Sequence, residues 1–260
     1  MGLAGIAKYS AYILCATPRS GSTLLCDMLA ATGVAGRPHS FFRQEDIPEW
    51  ADYWGVPQSD LADDPEFDRA YLAAMLRDGT GDTGVFGLRL MWASVADATR
   101  RLDRLHPGLP DAPARFEKAF GPTLYVHLSR RDKVAQAVSR IRAEQSGLWH
   151  LGADGTERER TAPPRPAAFD ADRIAALVAE LQADDAAWND FFAAHRIEPL
   201  RLTYETMAAD PQPALANILS ALGRDPELAR TVHPGTAKLA NDTSREWADR
   251  FRKATDATRE

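Results

Sequence analysis

Tyr12-Ile13-Leu14-Cys15-Ala16-Thr17-Pro18-Arg19-Ser20-Gly21-Ser22-Thr23-Leu24-Leu25 decides the fold of this chain. Its first five residues form an apolar, β-type run that Thr17-Pro18 ends abruptly. From Thr23 to Ala31, Leu24, Leu25, Met28 and Leu29 recur at helical spacing. A strand, a tight loop and a helix follow one another within twenty residues, the opening unit of many phosphate-binding α/β folds. Gly21 lets the backbone turn, so the N–H groups of Ser20, Gly21, Ser22 and Thr23 can face an anion at the helix start. Ser22 and Thr23 add hydroxyl donors, and Arg19 adds a full positive charge.

The loop differs from the ATP/GTP-binding kind. GxxxxGK[ST] is absent, and with it the lysine that reaches the β/γ-phosphates. No carboxylate stands clearly at a strand end to hold Mg²⁺, so no metal is expected. A sulfuryl group carries less charge than a γ-phosphoryl group, and its transfer can proceed on an arginine without a metal.

Outward from this loop the same grammar repeats. Val85–Met91 and Thr123–Leu128 read as buried strands, and Pro199–Tyr204 as a fourth. Phe67–Arg77, Ser94–His106, Lys133–Ser146, Asp172–Ala194 and Pro213–Leu222 read as helices, and the charged tail from Trp247 as helical. Pro38–Pro57 reads as irregular, Pro107–Pro113 as a turn-rich break, and residues 151–168 as a surface loop or lid. Strands separated by helices predict an α/β fold: one P-loop-like domain over 1–260, with a mostly parallel sheet flanked by helices on both faces.

Composition narrows the class. The 260 residues are 45% hydrophobic and 26% charged, ordinary for a globular protein. With 31 Lys+Arg against 37 Asp+Glu, the net charge of −6 disfavours a nucleic-acid partner, though not a local basic pocket. Cys15 and Cys26 sit in apolar surroundings and read as reduced packing residues. No apolar run approaches the ~20 residues of a membrane span. Met1–Tyr9 does not read as a signal peptide, so the cytoplasm is the expected location.

A second segment bears on the site. His127-Leu128-Ser129-Arg130-Arg131-Asp132 closes the third strand, and Ser139 lies eight residues beyond Arg131 in the next helix. Guanidinium and hydroxyl could grip a second phosphate from two sides.

Together these segments resemble the sulfotransferases that use 3′-phosphoadenosine-5′-phosphosulfate (PAPS). The first loop is similar to their 5′-phosphosulfate loop, P-[RK]-S-G-[ST]-T. Arg131…Ser139 matches their 3′-phosphate motif. Tyr204-Glu205-Thr206-Met207-Ala208-Ala209-Asp210-Pro211 resembles the Y-E-x-L/M-x-x-D-P segment, whose tyrosine lies near the adenine. Nearly the whole chain is similar to the bacterial trehalose 2-sulfotransferase family and its lipopolysaccharide sulfotransferase relatives. The matching stretches include Ala30-Ala31-Thr32-Gly33-Val34-Ala35-Gly36, Phe41-Phe42, Phe86-Gly87-Leu88-Arg89-Leu90-Met91-Trp92, Gln136-Ala137-Val138-Ser139 and Ser244-x-Glu246-Trp247-x-x-Arg250.

The resemblance implies PAPS as donor, 3′,5′-adenosine bisphosphate (PAP) as product, a sugar or glycolipid hydroxyl as acceptor, and a protein compatible with a homodimer. It implies a donor site of Arg19, Ser20, Gly21, Ser22, Thr23, Leu24, Arg131, Ser139 and Tyr204, and an acceptor site including Ser40, Phe41, Phe42, Glu45, Arg89 and Trp92. Trp50, Tyr53, Trp54 and Trp149 are further candidates for a sugar pocket, and Lys238, Arg245 and Arg250 for the 3′-phosphate.

Two positions depart from the pattern. Where the trehalose enzymes carry a glutamate as general base, this chain has Ser40, preceded by His39. Histidine, with an ordinary pKa near ~6.5, suits the task, so His39 is the expected base, with Glu45 and Asp46 in reserve. Arg89 stands where relatives often have lysine, which alters hydrogen-bond geometry on the acceptor side. A non-sugar alcohol or lipid headgroup as acceptor, a catalytically idle nucleotide-binding protein and a metal-dependent kinase are the competing readings; the missing Walker lysine argues against the last.

Overall fold

The computed structural model describes residues 8–58, 63–152, 154–237 and 242–257. Met1–Ala7, where a leader was sought, and Lys238 lie outside them. In chain order the elements begin with β1 (Ala11–Ala16), α1 (Ser22–Ala31), α2 (Ile47–Trp54), α3 (Pro65–Thr80), β2 (Phe86–Met91), α4 (Val95–Leu105) and α5 (Ala112–Phe120). They continue with β3 (Thr123–Ser129), α6 (Lys133–Ser146), β4 (Leu148–Gly152), β5 (Glu157–Arg160) and α7 (Ala171–Ala194). The last are β6 (Leu200–Thr203), α8 (Tyr204–Ala209), α9 (Gln212–Ala221), β7 (Thr236–Ala237) and α10 (Asp242–Ala257).

β1, β2, β3 and β6 are the four strands expected from the apolar runs. They form one parallel sheet in the order β2-β1-β3-β6, with Ala11 level with Phe86 on one side and Thr123 on the other. Every residue of β1 is fully buried. The period of two divides them: Ile13 and Cys15 join a core with Phe41, Leu88, Phe116 and Trp188, while Tyr12, Leu14 and Ala16 join another with Leu25, Met28, Leu215 and Ile218. A strand buried on both faces has no room for polar alternation, hence its continuous apolar run. The chain leaves β1 for β2 on one side and returns for β3 on the other. This opens a crevice at the strands' C-terminal ends.

A third cluster joins α6, α7 and α10 through Val138, Ile141, Leu177, Leu181 and Trp247. Between α3 and α4, the Asp68 carboxylate takes Arg101 Nη1 at 2.5 Å and Arg104 Nη2 at 2.6 Å. Both cysteines are free and buried, and packing pushes the Cys26 thiol up to about 12. Among the described residues no helix is long and apolar enough to cross a membrane.

Three stretches correct the expectations. Pro38–Pro57 contains α2, and the proline-marked break at Pro107–Pro113 leads directly into α5. Pro48 and Pro113 each stand in the first helical turn, where a missing N–H costs nothing. The 151–168 segment is not all loop, because β5 pairs antiparallel with β4, which also pairs with β7.

Candidate active site

The loop after β1 is held from behind. Gln136, fully buried on α6, donates its Nε2 to Thr17 Oγ1 at 2.9 Å and to Pro18 O at 2.7 Å. Arg19 adopts φ 63°, a conformation rare outside glycine, and Gly21 follows at φ 89°. A Cβ at Gly21 would meet Met207 Cε at 2.7 Å and Tyr204 Cδ2 at 3.0 Å. Glycine is therefore favoured by its dihedral, with the side chains of Met207 and Tyr204 close above it. No side chain caps α1, so its first N–H groups stay directed at the cavity.

Arg19 organises the site. Its Nε donates to Ser139 Oγ at 3.1 Å and its Nη1 to the Trp149 carbonyl at 2.6 Å. Arg130 donates Nη1 to the Arg19 carbonyl at 3.2 Å and lies 4.2 Å from the Tyr204 ring centroid. Burial, reinforced by Arg130, pulls the Arg19 guanidinium down to about 10. Arg130 Nε and Ser20 Oγ are buried with no hydrogen-bond partner among the described residues. Two crowded cations with orphaned donors suit an anionic ligand.

Arg89 reaches in from β2, donating Nε to Ser40 Oγ at 2.7 Å and Nη1 to Thr23 Oγ1 at 2.7 Å. His150 Nε2 lies 3.1 Å from the same Thr23 hydroxyl and 3.3 Å from Glu159 Oε2. Burial, with Arg19, Arg89 and Arg158 nearby, pushes His150 down to about 3, so it is neutral at physiological pH.

These groups line one cavity of about 890 Å³, within the usual range for a small-molecule site. Seven arginines and five carboxylates border it, an excess of positive charge in a chain of net charge −6. Of the expected residues, Arg19, Gly21, Ser22, Thr23, Leu24, Ser40, Glu45, Arg89, Ser139, Trp149, Tyr204 and Arg245 lie on its wall.

Others are placed elsewhere. Arg131 is 70% exposed and turned to Glu205, while its neighbour Arg130 lines the cavity. Ser20 is buried behind the loop. Phe41 and Phe42 are core, as apolar rings beside a buried sheet tend to be, and Trp92 packs on Trp188 at 5.1 Å. His39 is off the cavity wall and exposed, with its ring against Phe41 and Trp50 at 5.7 and 5.3 Å. Trp50 and Trp54 stack on each other at 5.1 Å, Tyr53 is exposed, and Arg250 sits over Phe169 at 4.0 Å. Sequence reasoning missed Gln136, Arg130, Glu159 and Arg252 as parts of the site. The Arg130-Arg131 pair was a visible signal, but a one-residue choice at a strand end is invisible without the register.

A parallel sheet whose first βα loop turns an arginine and the start of a helix toward the cavity, without the Walker lysine, defines a P-loop-like α/β protein. Residues 11–254 match the Stf0 sulphotransferase family, and the chain belongs to that family of sulfotransferase enzymes. It is 31% identical to the trehalose 2-sulfotransferase of Mycobacterium tuberculosis, over 93% of this chain and 94% of that protein. It is 34% identical to the trehalose 2-sulfotransferase of Mycolicibacterium smegmatis, over 94% and 95% respectively. A solved sulfotransferase from Alicyclobacillus acidocaldarius aligns with 93% of this chain and 90% of that one, at TM-score 0.45 and 15% identity.

Proposed function

We propose that the protein transfers a sulfuryl group from PAPS to a hydroxyl of a carbohydrate or glycolipid, with a trehalose-like sugar as the first acceptor to consider. The observation that carries this reading is the placing of Arg19 and Arg130 side by side on the wall of one cavity, Arg130 donating to the Arg19 carbonyl at 3.2 Å. The trehalose activity of the two mycobacterial relatives supports the acceptor class.

The donor supplies the activated sulfuryl group; this chain's residues position it and manage charge. Arg19 and the amides of Gly21, Ser22 and Thr23 face the 5′ side, where negative charge grows on the departing phosphate. Arg130 and Ser139 take the 3′-phosphate, the role that the motif spacing had given to Arg131. Tyr204, with Arg130 across its face, and Leu24 border the adenine. Arg89 and Ser40 belong to the acceptor side.

Titration calorimetry with PAP, without metal and against AMP, tests the donor site. Micromolar PAP binding with a marked loss for AMP is expected. Equal binding of the two nucleotides, or none, overturns the reading.

A further inference from the structure

The reaction needs a group to take the acceptor's proton, and the residues nearest in sequence to that task do not supply one. Ser40 Oγ is already committed to Arg89 Nε at 2.7 Å, and His39 lies off the cavity wall. Five carboxylates do line the cavity, and four of them are engaged or remote. Asp97 accepts from Arg100 at 2.5 Å. Asp132 caps α6 through Ala135 N and takes Arg252 Nη2, while Asp249 takes Arg252 Nη1 at 3.1 Å. Glu45 is 76% exposed, 3.5 Å from Arg43.

Glu159 is different. It stands on β5, in a hairpin fastened to the donor loop by Arg19 on the Trp149 carbonyl and by His150 on Thr23, and to α1 by Arg158 on Asp27. His150 Nε2 lies 3.3 Å from Glu159 Oε2 and 3.1 Å from the Thr23 hydroxyl, so it holds Glu159 beside the start of α1. Oε1 faces Arg43 Nη1 at 3.8 Å, too far for a hydrogen bond, and keeps its accepting capacity.

Resting on the sulfuryl-transfer reading, we infer that Glu159 is the general base, and that the proton-accepting role lies on the β4–β5 hairpin rather than at position 39 or 40. Glu159 takes the proton as the acceptor oxygen bonds to sulfur. The electron pair of the broken sulfur–oxygen bond leaves with the phosphate, and the carboxyl later returns its proton to water.

The test compares wild type with Glu159→Gln and Glu159→Asp, using labelled PAPS with trehalose, glucose and methyl glycosides, and PAP calorimetry on each protein. Glu159→Gln keeps the side chain's size and its contact with His150. Its kcat is expected to fall by about 10²–10⁴-fold, with PAP affinity within about twofold of wild type. Glu159→Asp, which retains a carboxylate, is expected to recover about tenfold of that loss. A Glu159→Gln kcat within about threefold of wild type overturns the assignment while leaving the sulfotransferase reading intact. A Glu159→Gln fall in PAP affinity that accounts for the lost rate also overturns it, since the residue would then serve the donor. A wild type that binds PAP no better than AMP, and transfers to none of these acceptors, overturns both.

Discussion

Arg19 Nε donates to Ser139 Oγ at 3.1 Å, across 120 residues of sequence. The bond joins the loop after the first strand to the helix after the third, so neither half of the anion site is set independently of the other. Arg19 in turn carries Arg130 on its carbonyl. The site is therefore a linked set, and substitutions within it will combine non-additively.

Arg130 and Arg131 separate the structural assignment from the motif spacing. Arg130→Ala is expected to weaken PAP binding by at least about tenfold, the order of a lost charged hydrogen bond, with a smaller effect on AMP. Arg131→Ala, removing a side chain that is 70% exposed, is expected to stay within about twofold. Calorimetry on both variants checks this; the reverse order would return the role to Arg131.

Gln136 is the brace of the loop after β1. Gln136→Leu leaves Thr17 and the Pro18 carbonyl without their donor and is expected to cost about 1–3 kcal/mol of stability in urea unfolding. PAP affinity falls with it, because the loop loses its backing. A variant as stable as wild type would show that water replaces the amide without loss.

Asp68 binds α3 to α4 through two arginines while itself almost wholly buried. Removing it leaves the largely buried Arg101 guanidinium without its carboxylate and Arg104 with Asp63 alone. Asp68→Ala is expected to destabilise by about 3–5 kcal/mol, with donor affinity of the remaining folded protein unchanged. Chemical denaturation with parallel PAP titration reads both.

A buried and a half-buried histidine give stability a pH slope of fixed sign. Burial holds His150 at about 3 and His127 at about 4, both below the ordinary 6.5. As pH falls from 6.5, the unfolded chain takes up protons that the native state refuses until those lower values. Stability therefore declines with falling pH in this window, by up to about 1.4 kcal/mol per pH unit for each ring. Urea midpoints at pH 7 and pH 5 measure the decline, and His150→Gln is expected to reduce its slope.

The sheet was legible because β1, β2 and β3 are largely buried strands whose apolar runs need no context, and the edge strand β6 keeps the β-type alternation of Leu200 and Leu202. α2 and α5 were not, since Pro48 and Pro113 look like breaks yet serve as first-turn residues. The strand Glu157-Arg158-Glu159-Arg160 carries no apolar alternation, because its pairing partner is a hairpin arm and not the core. The turn after β1, with Arg19 and Gly21, was readable as local chemistry. Arg130, Gln136 and Glu159 were not, because their roles come from what β3, α6 and β5 bring beside the loop.

The φ of 63° at Arg19 sets a backbone penalty against two side-chain hydrogen bonds at a single codon. Glycine would occupy that conformation without the steric penalty, of order 1–2 kcal/mol, that the arginine bears. It would also abolish the guanidinium on which Ser139 and Trp149 are strung. The side chain thus holds its own backbone in a conformation that the loop would otherwise reserve for glycine, and the two tethers are what keep it there.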